Sequence, residues 1–194
     1  MMITRKSNGV AWGAGWHFPV PDLITRDGQR YDAVVSSGVR HPKRPGHHGI
    51  DVLYRRKRAG DRPEYKAGTP DGDETWFAPP ETPILAARAG KVWSVTHGPK
   101  GWAVVIDHGK PWATFYQHLA RVDLEPHTAG KAASGGPPTV VKEGDMIGTM
   151  GFSTTDPARL RHLHFEAWFN GHGNAASQDP AVVIGQWGRS QWRI

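Results

Sequence analysis

Short apolar runs, separated by glycine and proline, dominate the second half of the chain. They occupy residues 84–87, 90–95, 102–107 and 112–118, and residues 140–151 contain two more around a tight turn. Runs this short, with turn residues between them, are typical of antiparallel strands. Nearer the start, residues 16–21 and 34–40 predict two further short strands. The pattern therefore predicts an all-β fold built mainly from antiparallel sheets, as in a β-sandwich.

Two stretches interrupt this pattern. Residues 54–77 are rich in charged residues, and residues 125–139 are rich in Gly and Pro. We expect both to be long surface loops, which are either simply solvated or form walls of a substrate groove. Residues 179–185 predict a short terminal helix. With no internal repeat, we expect a single domain over residues 1–194, with its core at about 16–180.

Composition favours turns over long helices. The chain has 24 Gly and 16 Pro, and no apolar run approaches the roughly 18 residues that cross a bilayer, so no membrane span is expected. Cysteine is absent, so the fold needs no disulfide. Basic residues at the start are not followed by an apolar segment. We therefore expect no secretory signal peptide and synthesis in the cytoplasm.

The basic charge points to a polyanionic environment. A net charge of +6 attracts nucleic acid or the anionic polymers of a bacterial cell wall. The basic residues are dispersed and no DNA- or RNA-reading motif is present, so nucleic acid is not expected as a partner. Nine tryptophans suit a packed core, with one or two left to line a groove for sugar or peptide.

The segment at residues 161–168 carries the most informative pattern. Read as a strand, it puts His162 and His164 on one face and Leu163 and Phe165 on the other. The two imidazoles would lie about 6.6 Å apart along the strand. Most isolated His-x-His pairs are solvated strand residues, so the pair needs support from other parts of the chain.

That support comes from His47 and Asp51, whose spacing lets both side chains meet one ion. With His164 as a third ligand, two imidazoles and one carboxylate leave a fourth position of a tetrahedral Zn²⁺ for water, as a catalytic zinc requires. His118 and His162 could then supply a proton acceptor and a group that stabilises the oxyanion.

Four motifs in this order resemble one family. They are His47-x-Gly49-x-Asp51, Thr114-x-Tyr116-x-His118-Leu119, Gly144-Asp145-x-Ile147-Gly148 and His162-Leu163-His164-Phe165-Glu166. Together they are similar to the lysostaphin-type zinc metalloendopeptidases, which cut peptide cross-bridges in bacterial peptidoglycan. The similarity spans about residues 16–180. It implies antiparallel sheets of the duplicated hybrid motif type, with little helix and a zinc ion in a groove between loops.

The resemblance also assigns roles. It implies that His47, Asp51 and His164 bind Zn²⁺ and that His118 and His162 are the catalytic histidines. The expected function is that of a monomeric zinc endopeptidase acting on peptidoglycan cross-links, either D-Ala cross-links or glycine bridges. The alternative is a catalytically weak wall-binding or phage virion-associated structural protein of the same fold. Without a signal peptide, the wall would be reached through phage lysis, a virion or a dedicated secretion route.

Several neighbouring residues allow two interpretations. Glu166 shares a face with His162 and His164, so it is either an acceptor that orients a histidine or an ordinary strand carboxylate. By alternation Tyr116 shares a face with His118, where it could hold substrate, although core packing is the simpler prediction. His48 is expected to point away from His47, and His108 is expected to be a hairpin residue. The long loops and Arg161 depart from the family pattern and leave substrate preference open.

Overall fold

The computed structural model describes residues 5–7, 10–12, 15–40, 44–55, 76–128, 137–155, 160–181 and 184–194. Most of the two predicted loops, residues 56–75 and 129–136, therefore lies outside the described residues.

The described residues form sixteen β-strands and two short 3₁₀ helices. The strands are β1 Arg5–Ser7, β2 Val10–Trp12, β3 Asp22–Ile24, β4 Arg30–Tyr31, β5 Ala33–Ser37, β6 Ile50–Arg55, β7 Trp76–Phe77, β8 Pro83–Leu85, β9 Gly90–Gly98, β10 Gly101–Asp107, β11 Trp112–Val122, β12 Val140–Val141, β13 Met146–Met150, β14 Leu163–Phe169, β15 Ser177–Gln178 and β16 Gln191–Arg193. The 3₁₀ helices are Asn174–Ala176 and Ile184–Gln186. The prediction of an all-β fold is confirmed.

One large sheet organises the molecule. Its central path runs β12-β9-β10-β11-β14-β6-β5, and β13, β8, β7 and β15 attach to it. All its strand pairs are antiparallel. The long strands β9, β10 and β11 form a meander, because short turns join consecutive apolar runs. The pairing of β11 with β14 places residues 112–117 beside residues 164–169, which are distant in sequence.

The central strands bury apolar side chains on both faces. On the core face, Val104, Ile106, Tyr116 and Phe165 are completely buried. Val105, Ala113 and Trp168 form a smaller apolar cluster, with Trp93 and Phe115 packed against it. Because side chains alternate along a strand, His164, Glu166 and Trp168 of β14 lie opposite Phe165. This second face carries the histidines.

One local prediction is confirmed and two need correction. Residues 140–151 form two short strands around a turn, as predicted; β12 pairs with β9, and β13 pairs with β11 and β8. The predicted helix at 179–185 is replaced, in its described part, by the 3₁₀ turn Ile184–Gln186. Residues 16–21 are not a strand but a buried irregular segment, which a bridge between His17 and Gly188 ties to the C-terminal segment.

The ends of the first predicted loop belong to the sheet. Tyr54 and Arg55 are the last residues of β6, and they pair with Phe77 and Trp76 of β7. Tyr54 is completely buried, and its hydroxyl donates a hydrogen bond to the Pro21 carbonyl at 2.8 Å. The described ends of this predicted loop, residues 54–55 and 76–77, are therefore strand residues.

The C-terminal segment closes the structure against the start of the chain. β16 pairs in parallel with β3, and β4 completes this small sheet. Asp22 of β3 is buried, and its carboxylate accepts hydrogen bonds from Arg189 and Arg30. No helix among the described residues is long and apolar enough to span a membrane.

Candidate metal centre

Pairing of β6 with β14 brings together three side chains that are far apart in sequence. Asp51 of β6 lies directly opposite His164 of β14, and His47 lies three residues before the start of β6. His47 Nε2 is 3.0 Å from Asp51 Oδ1 and 3.1 Å from His164 Nδ1, and His164 Nδ1 is 3.2 Å from Asp51 Oδ1. All three residues are buried, and their ligand atoms form a group that could hold a metal ion.

Hydrogen bonds on the far side of each imidazole fix which nitrogen faces the centre. His47 Nδ1 donates to the Gly38 carbonyl at 2.8 Å, and His164 Nε2 donates to Glu166 Oε1 at 2.9 Å. Because a carbonyl and a carboxylate only accept, the hydrogen of each neutral ring lies on these nitrogens. His47 Nε2 and His164 Nδ1 therefore both direct lone pairs at the same point.

The centre thus brings together three electron-pair donors, an arrangement that a bound cation would stabilise. In their neutral forms, His47 and His164 direct two lone pairs toward Asp51 Oδ1. Burial alone would raise the pKa of Asp51, but its contacts with His164 and His47 hold this pKa well below its usual range, so the carboxylate is charged. Nitrogen and carboxylate ligands converging in this way suit Zn²⁺. The residues present therefore fit a metal ion.

Glu166 and Arg44 support the centre from outside. Glu166 is buried, with Oε2 accepting a 2.7 Å hydrogen bond from Trp168 Nε1 while Oε1 holds His164. Of the two interpretations of Glu166, the structure therefore favours the acceptor that orients a histidine. Arg44 Nη1 donates to Asp51 Oδ2 at 2.6 Å, which leaves Oδ1 to face the two imidazoles. Sequence reasoning did not single out Arg44.

Gly49 allows the two strands to approach. A Cβ at this position would lie 2.5 Å from the Phe165 carbonyl oxygen and 2.9 Å from Glu166 Cγ and His164 Cε1. Real side chains essentially never make such contacts with backbone. The glycine between the two proposed ligands His47 and Asp51 is therefore a steric requirement of the site.

His118 lies where β11 is irregular. The register of β11 against β10 shifts, so that Trp102 faces Leu119 while Ala103 faces Gln117, and His118 has φ of 69°. Such a bulge interrupts the alternation of side chains. His118 consequently faces the same cavity as Gln117, whereas Tyr116 lies in the core. The prediction that Tyr116 and His118 share a face is wrong, and core packing of Tyr116 is confirmed.

The His118 ring is held as a neutral base. Its Nδ1 donates to the Lys100 carbonyl at 2.9 Å, which leaves Nε2 free to accept a proton. Burial, together with the nearby imidazoles of His162 and His164, lowers the pKa of His118 to about 4. The ring is therefore uncharged at neutral pH.

His162 lies next to both His118 and the three converging side chains. The rings of His118 and His162 are 4.7 Å apart, and His162 Nε2 is 3.9 Å from Asp51 Oδ1. The backbone of Gly151 links the two histidines, because its N–H donates to the His118 carbonyl at 2.6 Å and its carbonyl accepts from the His162 N–H at 3.2 Å. All five candidate residues therefore meet in one place.

A cavity of about 530 Å³ adjoins this cluster. Its lining combines the apolar ring of Phe115 with polar and charged side chains, including His47, His118 and His164. His48 also lines it but is not among the converging ligand atoms. His108 is instead a structural residue, whose Nε2 lies 2.8 Å from Thr114 Oγ1 and whose Nδ1 donates to the Ala89 carbonyl.

Comparison with known proteins identifies a family. Residues 74–177 match the family model described as peptidase family M23. The matched segment includes His118, His162 and His164 and begins after His47 and Asp51.

Solved structures support the fold. The catalytic domain of the antimicrobial peptidase lysostaphin from Staphylococcus simulans is 18% identical, with a TM-score of 0.51 over 80% of this chain and 92% of its own. A zinc-containing peptidase from Vibrio cholerae is 19% identical, with a TM-score of 0.53 over 93% of this chain and 45% of its own. A chain of the SpoIIQ–SpoIIIAH pore-forming complex is 18% identical, with a TM-score of 0.55 over 86% of this chain and 89% of its own. Because these proteins include a pore component, fold alone does not decide activity.

Proposed function

This chain belongs to peptidase family M23 and is a metalloendopeptidase. We propose that it depends on zinc and that it hydrolyses amide bonds in the peptide cross-links of bacterial peptidoglycan. The observation that carries the proposal is the convergence of His47 Nε2, His164 Nδ1 and Asp51 Oδ1 within 3.2 Å of one another, next to a cavity that His118 lines. The action would take place at the cell wall, reached through phage lysis, a virion or a dedicated secretion route.

His47, Asp51 and His164 would hold the zinc ion. Two neutral imidazoles and one carboxylate are a common ligand set for catalytic zinc and leave a further position for water or substrate. When bound, Zn²⁺ polarises the carbonyl of the scissile amide and makes water acidic enough to attack it. Glu166 and the Gly38 carbonyl keep both imidazoles in the tautomer that such binding needs.

His118 and His162 would move protons and stabilise charge. His118 is neutral and has Nε2 free, so it can accept a proton from the attacking water and later deliver it to the leaving amine. His162 has its Nδ1 engaged with the Leu160 carbonyl at 2.8 Å, which leaves Nε2 for the reacting carbonyl oxygen. A proton held there would stabilise the negative charge that develops on that oxygen.

The alternative, a structural protein of the same fold with weak catalysis, needs none of this arrangement. A wall-binding protein has no use for two histidines whose Nδ1 atoms are both held by backbone carbonyls next to a metal centre. The complete set of five residues therefore favours the enzyme.

The direct test is the release of new amino groups from purified peptidoglycan. We expect hydrolysis by the zinc-loaded protein, loss with chelator and recovery on adding Zn²⁺. His118→Ala should lower the rate by about 10²–10⁴-fold while retaining zinc, since general base catalysis contributes about that much. His97→Ala, at an exposed position of β9, is the matched control and should retain full activity. If no wall type yields new amines, or if His118→Ala is as active as His97→Ala, the proposal fails.

A further inference from the structure

The charges around the cavity are unbalanced. Among the described residues that line it, Arg44 and Lys100 are cationic and Glu166 is the single acid. A bound zinc ion would add further positive charge next to it. Charge of one sign in a concave, partly desolvated site concentrates ligands of the opposite sign.

Glu166 does not offset the cations. Oε1 accepts from His164 and Oε2 accepts from Trp168, so both carboxylate oxygens are already engaged. Glu166 thus serves the metal centre and is not available to neutralise Lys100 or to bind a cationic substrate.

Lys100 is a free cation beside the proposed base. It lies in the turn between β9 and β10, and its carbonyl holds His118 Nδ1 at 2.9 Å. Its side chain is exposed, lines the cavity and forms no ion pair with any described residue. The ammonium group can therefore reach a substrate atom close to the bond that His118 would serve.

Arg44 is the second cation that lines the cavity, and it lies next to Asp51. One nitrogen, Nη1, binds Asp51 Oδ2 at 2.6 Å and Ser37 Oγ at 3.4 Å. Within the described part of the chain, Nε and Nη2 have no hydrogen-bond partner, and half of the side chain is exposed. A guanidinium with free donors in a cavity is suited to a carboxylate.

We infer that the cavity selects peptides with a free carboxylate near the scissile amide, and that Lys100 and Arg44 recognise it. This inference rests on the proposed function and deepens it. Glycine bridges carry no charged group along their length, so they would leave Lys100 unpaired and the remaining donors of Arg44 unused. A cross-link through a residue that keeps its own carboxyl group free would engage both. The carboxylate could belong to the residue flanking the scissile amide or to the end of the peptide.

Three synthetic cross-linked peptides distinguish these sources. One has both carboxylates free, one has the flanking carboxylate converted to carboxamide, and one has the terminal carboxylate converted to carboxamide. Each is hydrolysed by the zinc-loaded full chain, by Lys100→Gln and by Lys142→Gln, and kcat/KM is measured by chromatography. Lys142 is an exposed lysine outside the cavity lining, so it is the matched control for loss of one charge. Arg44 is left intact because it also binds Asp51.

We expect the wild type to cleave the peptide with both carboxylates free about tenfold faster than the peptide whose recognised carboxylate has become a carboxamide. A factor of about ten corresponds to the loss of one charge-assisted hydrogen bond. Lys100→Gln should reduce this preference to about threefold or less, while its rate on that carboxamide stays unchanged. Lys142→Gln should keep the tenfold preference. Equal rates on all three peptides, or an equal loss on all three in Lys100→Gln, would overturn the inference while leaving the peptidase intact. Failure to cleave any of them would instead remove the proposed function and the inference with it.

Discussion

Each proposed metal ligand is held by a second contact behind it. His47 donates to the Gly38 carbonyl, His164 donates to Glu166, and Asp51 accepts from Arg44. These contacts choose the tautomer of each imidazole and leave one oxygen of Asp51 for the ion. Because the ligand atoms are already within 3.2 Å of one another, binding needs little reorganisation.

Glu166→Gln is expected to weaken zinc binding without unfolding the protein. The amide keeps an acceptor for His164 but removes the negative charge that strengthens this imidazole as a ligand, so the dissociation constant should rise by about tenfold or more. Competition with a chromophoric chelator measures this constant. Glu125→Gln, at an exposed position, should bind zinc like the wild type. Equal affinities for the two variants would mean that Glu166 does not act on the metal centre.

At the residue scale, sequence predicts chemistry better than orientation. The convergence of His47, Asp51 and His164 could be predicted because a metal site needs particular residue types at suitable spacing, and few residues of the chain meet both conditions. The face of Tyr116 could not, because a bulge at His118 breaks an alternation that looks regular in sequence. Arg44 lies in a loop, and its contact with Asp51 depends on a backbone path that no periodicity encodes.

At the scale of elements, the register between β6 and β14 creates the centre. Asp51 and His164 are directly opposite each other, and Gly49 lets the strands approach. A shift of β6 by one residue against β14 would turn Asp51 to the other face of the sheet, away from His164.

Gly49→Ala is expected to disrupt this register. The added methyl group would lie 2.5 Å from the Phe165 carbonyl oxygen, and relieving that overlap should cost about 1–3 kcal/mol of unfolding free energy. Zinc affinity should fall together with stability. Gly46→Ala is the matched control, since its Cβ would meet nothing within 4 Å. Denaturant unfolding and zinc titration of both variants test the prediction, which fails if the two behave alike.

Sequence located the strands more reliably than their partners. The apolar runs at 90–95, 102–107 and 112–118 became β9, β10 and β11, because local alternation with turn residues is sufficient to specify a meander. The pairing of β12 with β9 could not be seen, because a two-residue strand carries almost no pattern and its partner is distant in sequence. The same holds for β7, whose pairing with β6 shortens the predicted loop.

The pairing of β3 with β16 depends on a buried ion pair. Burial alone would raise the pKa of Asp22, but the hydrogen bonds and charge of Arg189, with help from Arg30, hold it below its usual range. A carboxyl group with a lowered pKa in the folded state stabilises the fold above its unfolded pKa, about 4, and this contribution disappears as pH falls through the folded value.

Asp22→Asn should therefore destabilise the protein in a pH-dependent way. At pH 7 we expect a loss of about 3 kcal/mol in unfolding free energy, because Arg189 would lose its buried partner. As pH falls below about 4 the difference from wild type should shrink, because the Asp22 carboxyl of the unfolded wild type takes up a proton first, and it should vanish once the pH passes the lowered pKa of the folded state. Asp123→Asn, which affects an exposed pair with Arg121, should change stability by less than about 0.5 kcal/mol. A pH-independent difference between wild type and Asp22→Asn would contradict this account.

At the scale of the whole molecule, one sheet performs two tasks. Its core face buries the largest side chains, and its other face presents five polar residues brought together from three distant segments. Long-range pairing fixes the site, so the site cannot form before the sheet does. Sequence motifs predicted that these segments would meet, whereas the balance of charge around the cavity required the folded structure.

The coordination of zinc in the loaded protein tests the central claim most directly. Metal analysis combined with zinc K-edge X-ray absorption should give one ion per chain, bound by two imidazole nitrogens, one carboxylate oxygen and one oxygen from water. Asp51→Ala and His164→Ala should each abolish stoichiometric binding. A zinc ion bound by four protein ligands, or one retained in full after both substitutions, would contradict the account.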